Sequence, residues 1–286
     1  MQYLATLLCF LCISSFAQDG NMLCNETQER DSIDTTVVST TTRVDEVKSR
    51  HLPDISNSVN QSNFEGSVYY LYNAIGLNKQ DLSYEIFRYG MIGYYTLQQQ
   101  GKLSAKSLLS IIDFTKPSSV KRLYVIDLAQ LSLLYYTYVS HGKNTGEDRA
   151  EKFSNIIHSN QSSIGFYLTA ETYIGSKGYS LKLDGMEKGY NDNLRDRAVV
   201  MHEADYVSED CIRQNGRLGR SQGCPALPVD ISKNVIDTIK DYTPIFAYYN
   251  DITYLKRSEY LSVNHLLNML NTSATLPDVL TTTQRR

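Results

Sequence analysis

Leu108-Leu109-Ser110-Ile111-Ile112-Asp113-Phe114, followed after a short polar break by Arg122-Leu123-Tyr124-Val125-Ile126-Asp127-Leu128, marks the point where the chain changes its hydrophobic period. Upstream, Phe64, Val68, Leu71, Tyr72 and Ile75 recur at helical spacing, and Gly76 offers a stop. A second helix is expected over residues 83–99. Ile86, Phe87, Gly90, Met91, Tyr94 and Leu97 share its broad apolar face, and Gly101 ends it. Downstream of Leu108 the runs are short and rich in Val, Ile, Tyr and Thr. Gly, Asn, Ser and Asp separate them. Strands are expected at 108–114, 122–128, 131–139, 165–174, 179–183, 198–202 and 244–249. One late helix over 229–240 carries Val235, Ile236 and Ile239 on a single face. Two amphipathic helices cannot bury their apolar faces alone and must pack on the rest. The pattern predicts an α+β protein: an N-terminal helical segment packed on a mostly antiparallel, β-sandwich-like catalytic domain.

The chain has 286 residues, with 42% hydrophobic and 21% charged residues and a net charge of -3. That is ordinary globular composition. No clustered basic face marks a nucleic-acid partner. Residues 3–13 form an apolar run broken only by Thr6, and Ser15 and Ala17 stand at the small-residue positions of a cleavage site. The run is short for a bilayer span, which takes roughly 20 residues. Residues 1–17 therefore read as a signal peptide. The mature chain begins near Gln18, is periplasmic or otherwise exported, and has no stable membrane insertion after signal removal. Cys9, Cys12 and Cys24 each follow a leucine rather than the small residue that precedes a lipidated cysteine, which makes a lipid anchor the lesser alternative.

Residues 18–60 are polar and Thr/Ser-rich in part, and read as a linker. Residues 61–107 form the helical segment and 108–261 the catalytic domain. Residues 262–286 form the tail, with a short helix before a Thr-rich end. Once the signal is removed, Cys24, Cys211 and Cys224 remain, an odd count that leaves at least one thiol unpaired. A Cys24–Cys211 disulfide and three free thiols both fit that count.

The chemistry-bearing stretch runs from Ala198 to Pro228. A β-type run delivers His202, a polar turn-rich loop follows, and then comes Ser221-Gln222-Gly223-Cys224. A thiol nucleophile needs a base or a positive environment to lower its pKa from about 8.5. It also needs donors for a developing oxyanion. Gly223, with no Cβ, gives backbone room. The N–H groups of Gly223 and Cys224 are candidate oxyanion donors, Arg217 and Arg220 raise the local potential, and His202 is the candidate base. Against this stands the commoner fate of a cysteine among small residues, a buried small hydrophobe. Metal binding by Cys211, Cys224 and His202 lacks the CxxC spacing of zinc sites, so no metal and no cofactor is expected.

The His202 … Ser221-Gln222-Gly223-Cys224 order resembles the signature of L,D-transpeptidases of the YkuD-type fold, in which a histidine and a loop precede Ser/Thr-x-Gly-Cys. Residues 112–118, 122–127, 141–146, 153–155, 162–167, 183–187 and 202–207 read like blocks of the murein L,D-transpeptidase catalytic domain subfamily. The resemblance spans roughly residues 64–249. It implies a thioester on Cys224 formed from a peptidoglycan tetrapeptide stem, release of D-Ala, and acyl transfer to an amine on a second stem. Peptidoglycan stem peptides are thus the implied partners. Water as acceptor would give an L,D-carboxypeptidase. A non-catalytic wall-binding module is the alternative from another class.

His202 is implied as base and later acid, oriented by the backbone carbonyl of Glu203. Ser221, Gln222, Arg220, Arg217, His141 and Tyr206 are the candidate substrate-binding residues, although packing is the commoner role for a residue like Tyr206. The wider family carries a histidine where Gln222 stands, and Gln222 cannot titrate. The loop from His202 to Cys224 is also longer than usual, and Pro225 replaces an aliphatic residue.

Overall fold

The structure, a computed structural model, describes residues 60–274. The signal peptide, nearly all of the polar linker, Cys24 and the Thr-rich end lie outside the described residues. Helix α1 spans Gln61–Ile75. Its first turn is closed by the Asn60 side chain, which accepts from the Asn63 N–H at 2.9 Å, and its end by Gly76 in the left-handed region. A 3-10 turn follows at Leu77–Gln80. Helix α2 spans Tyr84–Gln99, and its N-cap Ser83 accepts from Ile86 N–H at 3.2 Å. It lies close to the sheet because of Gly93: a Cβ there would sit 2.0 Å from Cζ of Phe166.

Eight strands form one mixed sheet: β1 Leu108–Asp113, β2 Leu123–Asp127, β3 Ser132–Thr137, β4 Gly165–Gly175, β5 Gly178–Gly185, β6 Val200–Glu203, β7 Ala226–Leu227 and β8 Pro244–Tyr248. Their order is β3-β2-β1-β8-β4-β5-β6-β7. Only the β1/β8 and β6/β7 pairs are parallel, so the sheet is mostly antiparallel as expected. The sandwich-like character comes from curling of this one sheet. The chain leaving edge strand β3 runs beside β7, the other edge. Ser140 N–H donates to the Ala226 carbonyl at 2.9 Å, and Gly142 bridges Ser221.

Curling gives the sheet two buried faces. Inside, Ile112, Val125, Leu181, Met201 and Ile245 pack with Val235, Ile236 and Ile239 of α4, Val229–Ile239. Outside, Ile111, Phe166 and Phe246 pack with Phe87 and Met91 of α2 and Leu266 of α6, Val263–Ala274. Burial on both faces explains why β1 reads as a nearly continuous apolar run rather than an alternating one. Each large side chain so buried contributes about 1.5–3 kcal/mol. The buried carboxylate between the layers is partnered: Glu187 accepts from Phe166 N–H at 2.7 Å and Tyr254 OH at 2.9 Å, and from the Ser258 hydroxyl.

Some elements near the site and the C-terminal end go beyond the sequence expectation. Helix α3, Glu209–Asn215, occupies the turn-rich loop before the nucleophile segment. Its signals are present: the Ser208 hydroxyl caps Cys211 N–H, Glu209 and Asp210 open it, and Gly216 ends it at φ 72°. Helix α5 covers Ile252–Arg257. Strand β7 is two residues long, too short to leave a periodic signal.

Candidate active site

The parallel β6/β7 pair builds the site. His202 is in register with Ala226, which sets Cys224, two residues upstream of Ala226, beside Val200, two residues upstream of His202. Val200 N–H lies 3.4 Å from the Cys224 sulfur, and the thiol lies 3.9 Å from the Ala198 carbonyl. Cys224 and His202 both line one open cleft of about 520 Å3. A hollow of about 630 Å3 on β3 and the start of α4 contains neither residue, so the chemistry selects the smaller cleft.

His202 is 3% exposed, and its Nδ1 lies 2.7 Å from the Glu203 carbonyl oxygen. A carbonyl only accepts, so Nδ1 carries the proton and donates it. In the neutral ring the lone pair is then on Nε2. Nε2 has no hydrogen-bond partner among the described residues. Burial lowers the His202 pKa below its ordinary 6.5. The Glu203 carbonyl opposes that shift and the nearby Lys177 ammonium adds to it. Burial pushes the Cys224 thiol up. The Val200 N–H and the positive charges of Arg197 and Lys177 offset part of that rise. The resting pair is therefore a neutral imidazole and a neutral thiol.

The loop bearing the thiol is tied down from several sides. Gly223 has φ 122°, a region open to glycine, and a Cβ there would lie 2.8 Å from the Gln161 carbonyl. The Ser221 hydroxyl donates to the Cys224 carbonyl at 2.6 Å and accepts from Gly223 N–H at 3.0 Å. The Ser162 hydroxyl donates to the Gly223 carbonyl at 3.2 Å. Ser221 N–H donates to the His141 carbonyl at 3.0 Å, and Lys143 N–H donates to the Ser221 carbonyl at 2.8 Å. Two expectations change here. The Gly223 N–H is taken by Ser221, which leaves the Cys224 N–H as the candidate oxyanion donor. Ser221 holds the loop's shape, with its hydroxyl satisfied inside the turn.

The other sequence candidates separate clearly. Gln222 is exposed and lines the cleft, as does Tyr206, whose phenol is pushed up to about 12 by burial and by the neighbouring Cys224. Arg220 reaches the cleft wall, but its Nη1 is engaged by Glu147 Oε1 at 2.7 Å and by the carbonyls of Lys143 and Gly146, both at 3.0 Å. Arg217 lies outside the cleft lining, paired with Glu147 Oε2 at 3.0 Å. Glu147 thus offsets both arginines, and neither supplies the positive potential expected of it.

His141 is fully buried and also outside the cleft lining. Its Nδ1 accepts from Arg122 Nη2 at 2.8 Å, and its Nε2–H donates to the Gly146 carbonyl at 3.3 Å. Burial beside the Arg122 guanidinium pushes it down to about 4. Both of its ring nitrogens are engaged within the protein, away from the cleft lining where it was expected to border the substrate. The charges that do act on the thiol, Arg197 and Lys177, had no motif to betray them. Arg197 donates to the carbonyls of Ser154 at 2.6 Å and Gln161 at 2.5 Å, and to the hydroxyls of Ser163 at 2.7 Å and Ser159 at 3.2 Å. It pins the 154–163 loop against the nucleophile turn. Among the described residues Cys211 and Cys224 form no disulfide, and the expected Cys24–Cys211 alternative involves a residue outside them. Among the described residues no group of three or more His, Cys, Asp or Glu side chains converges to hold a metal, and no helix is long and apolar enough to cross a membrane.

No curated protein matches the chain. Among solved structures, an L,D-transpeptidase from Mycobacterium smegmatis is 13% identical with a TM-score of 0.33, over 50% of this chain and 59% of its own. L,D-transpeptidase 1 from Mycobacterium tuberculosis is 14% identical with a TM-score of 0.29, over 50% and 62%. An L,D-transpeptidase from Stackebrandtia nassauensis is 11% identical with a TM-score of 0.31, over 64% and 77%. This chain thus spans about three-fifths of the first two proteins. At such scores these likenesses carry no weight beside a direct family match. The family model of the L,D-transpeptidase catalytic domain matches residues 78–248, well over half of the chain and inclusive of β1 to β8, His202 and Cys224. The chain belongs to the L,D-transpeptidase catalytic domain family.

Proposed function

We propose that this protein is an exported peptidoglycan L,D-transpeptidase that works through a Cys224 thioester. The observation that carries the reading is the convergence of Cys224 and His202 on one cleft, with the imidazole held in the tautomer that leaves Nε2 as a base. As the Cys224 sulfur attacks the carbonyl that precedes the terminal D-Ala of a tetrapeptide stem, His202 Nε2 takes the thiol proton. The Cys224 N–H faces the developing oxyanion. His202 then gives its proton to the leaving nitrogen, the C–N bond breaks, and D-Ala departs. An amine on a second stem next attacks the thioester. It loses a proton to His202, and the C–S bond breaks to restore the thiol. Gln222 and Tyr206 contact substrate, and Ser221 and Glu203 position the pair. Gln222 cannot titrate, so His202 alone moves protons.

The proposed division of the chain is a signal peptide over residues 1–17, a linker to residue 60, and a catalytic domain to which the helices at 61–107 and the last helix are fastened. Export is proposed from residues 1–17, and cell-wall attachment from the substrate. The test is mass spectrometry of muropeptides after incubation of disaccharide-tetrapeptide with the mature protein. Loss of D-Ala with gain of cross-linked dimer is expected, and Cys224→Ala abolishes both. D-Ala release by Cys224→Ala would overturn the nucleophile assignment. Loss of D-Ala without dimer would make the protein an L,D-carboxypeptidase.

A further inference from the structure

Strands β4 and β5 join through a tight hairpin, Gly175-Ser176-Lys177-Gly178, in which Gly175 pairs with Gly178 and Gly178 takes φ 75°. The register aims this hairpin. Ser180 of β5 is opposite His202 of β6, so the tip lies just beyond the C-terminal end of β6. Gly178 abuts Glu203: a Cβ on Gly178 would lie 3.1 Å from Glu203 Oε1. Ser176 and Lys177 therefore line the cleft together with His202 and Cys224.

Lys177 differs from the other cations of the cleft wall. Arg197 is surrounded by four oxygen acceptors and Arg220 by Glu147 and two carbonyls. Lys177 has no hydrogen-bond or ion-pair partner among the described residues, although Asp196 shares the cleft and Glu203 lies beside its hairpin. An unpaired ammonium next to a catalytic base works against that base. It disfavours the imidazolium that His202 must become, and its effect on His202 is in that direction. The arrangement makes chemical sense if substrate supplies the missing anion.

We propose that Lys177 is a specificity-determining residue that binds the free terminal carboxylate of the leaving amino acid. This rests on the transpeptidase reading above. In a stem peptide that carboxylate is separated from the carbonyl under attack by only the leaving nitrogen and one α-carbon. A cation at the rim of the Cys224–His202 cleft is within reach of it. The ion pair does two things. It selects donors that end one residue beyond the reacting carbonyl, because an amidated or extended terminus presents no charge there. It also neutralises Lys177 when substrate arrives, so that His202 accepts the thiol proton only in the complex.

The experiment compares two donors, a disaccharide-tetrapeptide ending in D-Ala and the same stem ending in D-alaninamide. Release of D-Ala or D-alaninamide and acyl-enzyme mass are the readouts. The wild-type protein is expected to favour the acid by about 10–100-fold in kcat/KM, the range of one well-placed charge pair. Lys177→Met is expected to bring the acid down to the level of the amide, and Lys177→Arg to restore most of the preference. Alkylation of Cys224 by neutral iodoacetamide checks that each variant keeps its site. Equal use of both donors by the wild-type protein, or an undiminished acid preference in Lys177→Met, overturns the Lys177 assignment and leaves the transpeptidase reading standing. Turnover of neither donor by the wild-type protein overturns both.

Discussion

His141 and His202 are both buried histidines near the nucleophile turn, and burial lowers the pKa of both. They differ in which nitrogen holds the proton. At His141 the partner of Nδ1 is a guanidinium, which only donates, so the lone pair is used there and Nε2–H is used by Gly146. At His202 the partner of Nδ1 is a carbonyl, which only accepts, so the proton is used there and the lone pair remains for chemistry. Burial makes either ring neutral at pH 7. The identity of one hydrogen-bond partner leaves His141 with both nitrogens engaged and His202 with a free Nε2, the nitrogen on which the proposed base role rests.

The sharpest way to break this comparison is to remove each ring. His202→Gln is expected to lower the rate of D-Ala release by about 10²–10⁴-fold, the worth of a positioned general base, with little change in thermal midpoint. Single-turnover acylation followed by mass checks it. His141→Ala should do the reverse. It removes one of the two acceptors of the buried Arg122 Nη2, which keeps the Val139 carbonyl at 2.9 Å, and costs about 1–3 kcal/mol of stability, read by chemical denaturation. Acylation per folded molecule should stay within a few-fold. A loss of chemistry on His141→Ala comparable to that of His202→Gln would erase the distinction.

A gentler probe is pH. The folded-state pKa of His141 is depressed to about 4, so between about pH 6.5 and pH 4 the unfolded chain binds the proton more readily than the native one. Stability should therefore fall as pH drops through that window, by about 1.4 kcal/mol per unit at most from this group. His141→Gln should flatten the slope. His202, also depressed, should place the acid limb of kcat/KM below pH 6.5, because the base is lost only when the pH falls through its lowered value. An acid limb above pH 6.5 would break the assignment of a neutral His202 with a lowered pKa as the base.

Much of the fold was legible because it rests on local chemistry. Gly76 reads as a stop in the sequence and closes α1 in the structure, and the expected start of the second helix at residue 83 is the N-cap of α2. The apolar runs at 108–114 and 122–128 became β1 and β2 nearly residue for residue. Helix α3 carries local signals too, Ser208 and Gly216, but its polar residues match those of a loop. Strand β7 was not legible, because two residues carry no period and its existence depends on β6 beside it.

Residue types and their order were enough to name the chemistry on offer: a thiol behind a glycine, a histidine at the end of an apolar strand, and a family signature joining them. Which charges and which nitrogens count depends on the folded arrangement. Arg217 and Arg220 lie close in sequence to Cys224, yet Glu147 occupies both. Arg197 and Lys177 lie 27 and 47 positions away in sequence, yet theirs are the charges that reach the thiol. The reason is physical. Electrostatic influence depends on distance through space and on what else is bound. Both are set when a curled sheet brings a hairpin, a loop and two short parallel strands to one edge.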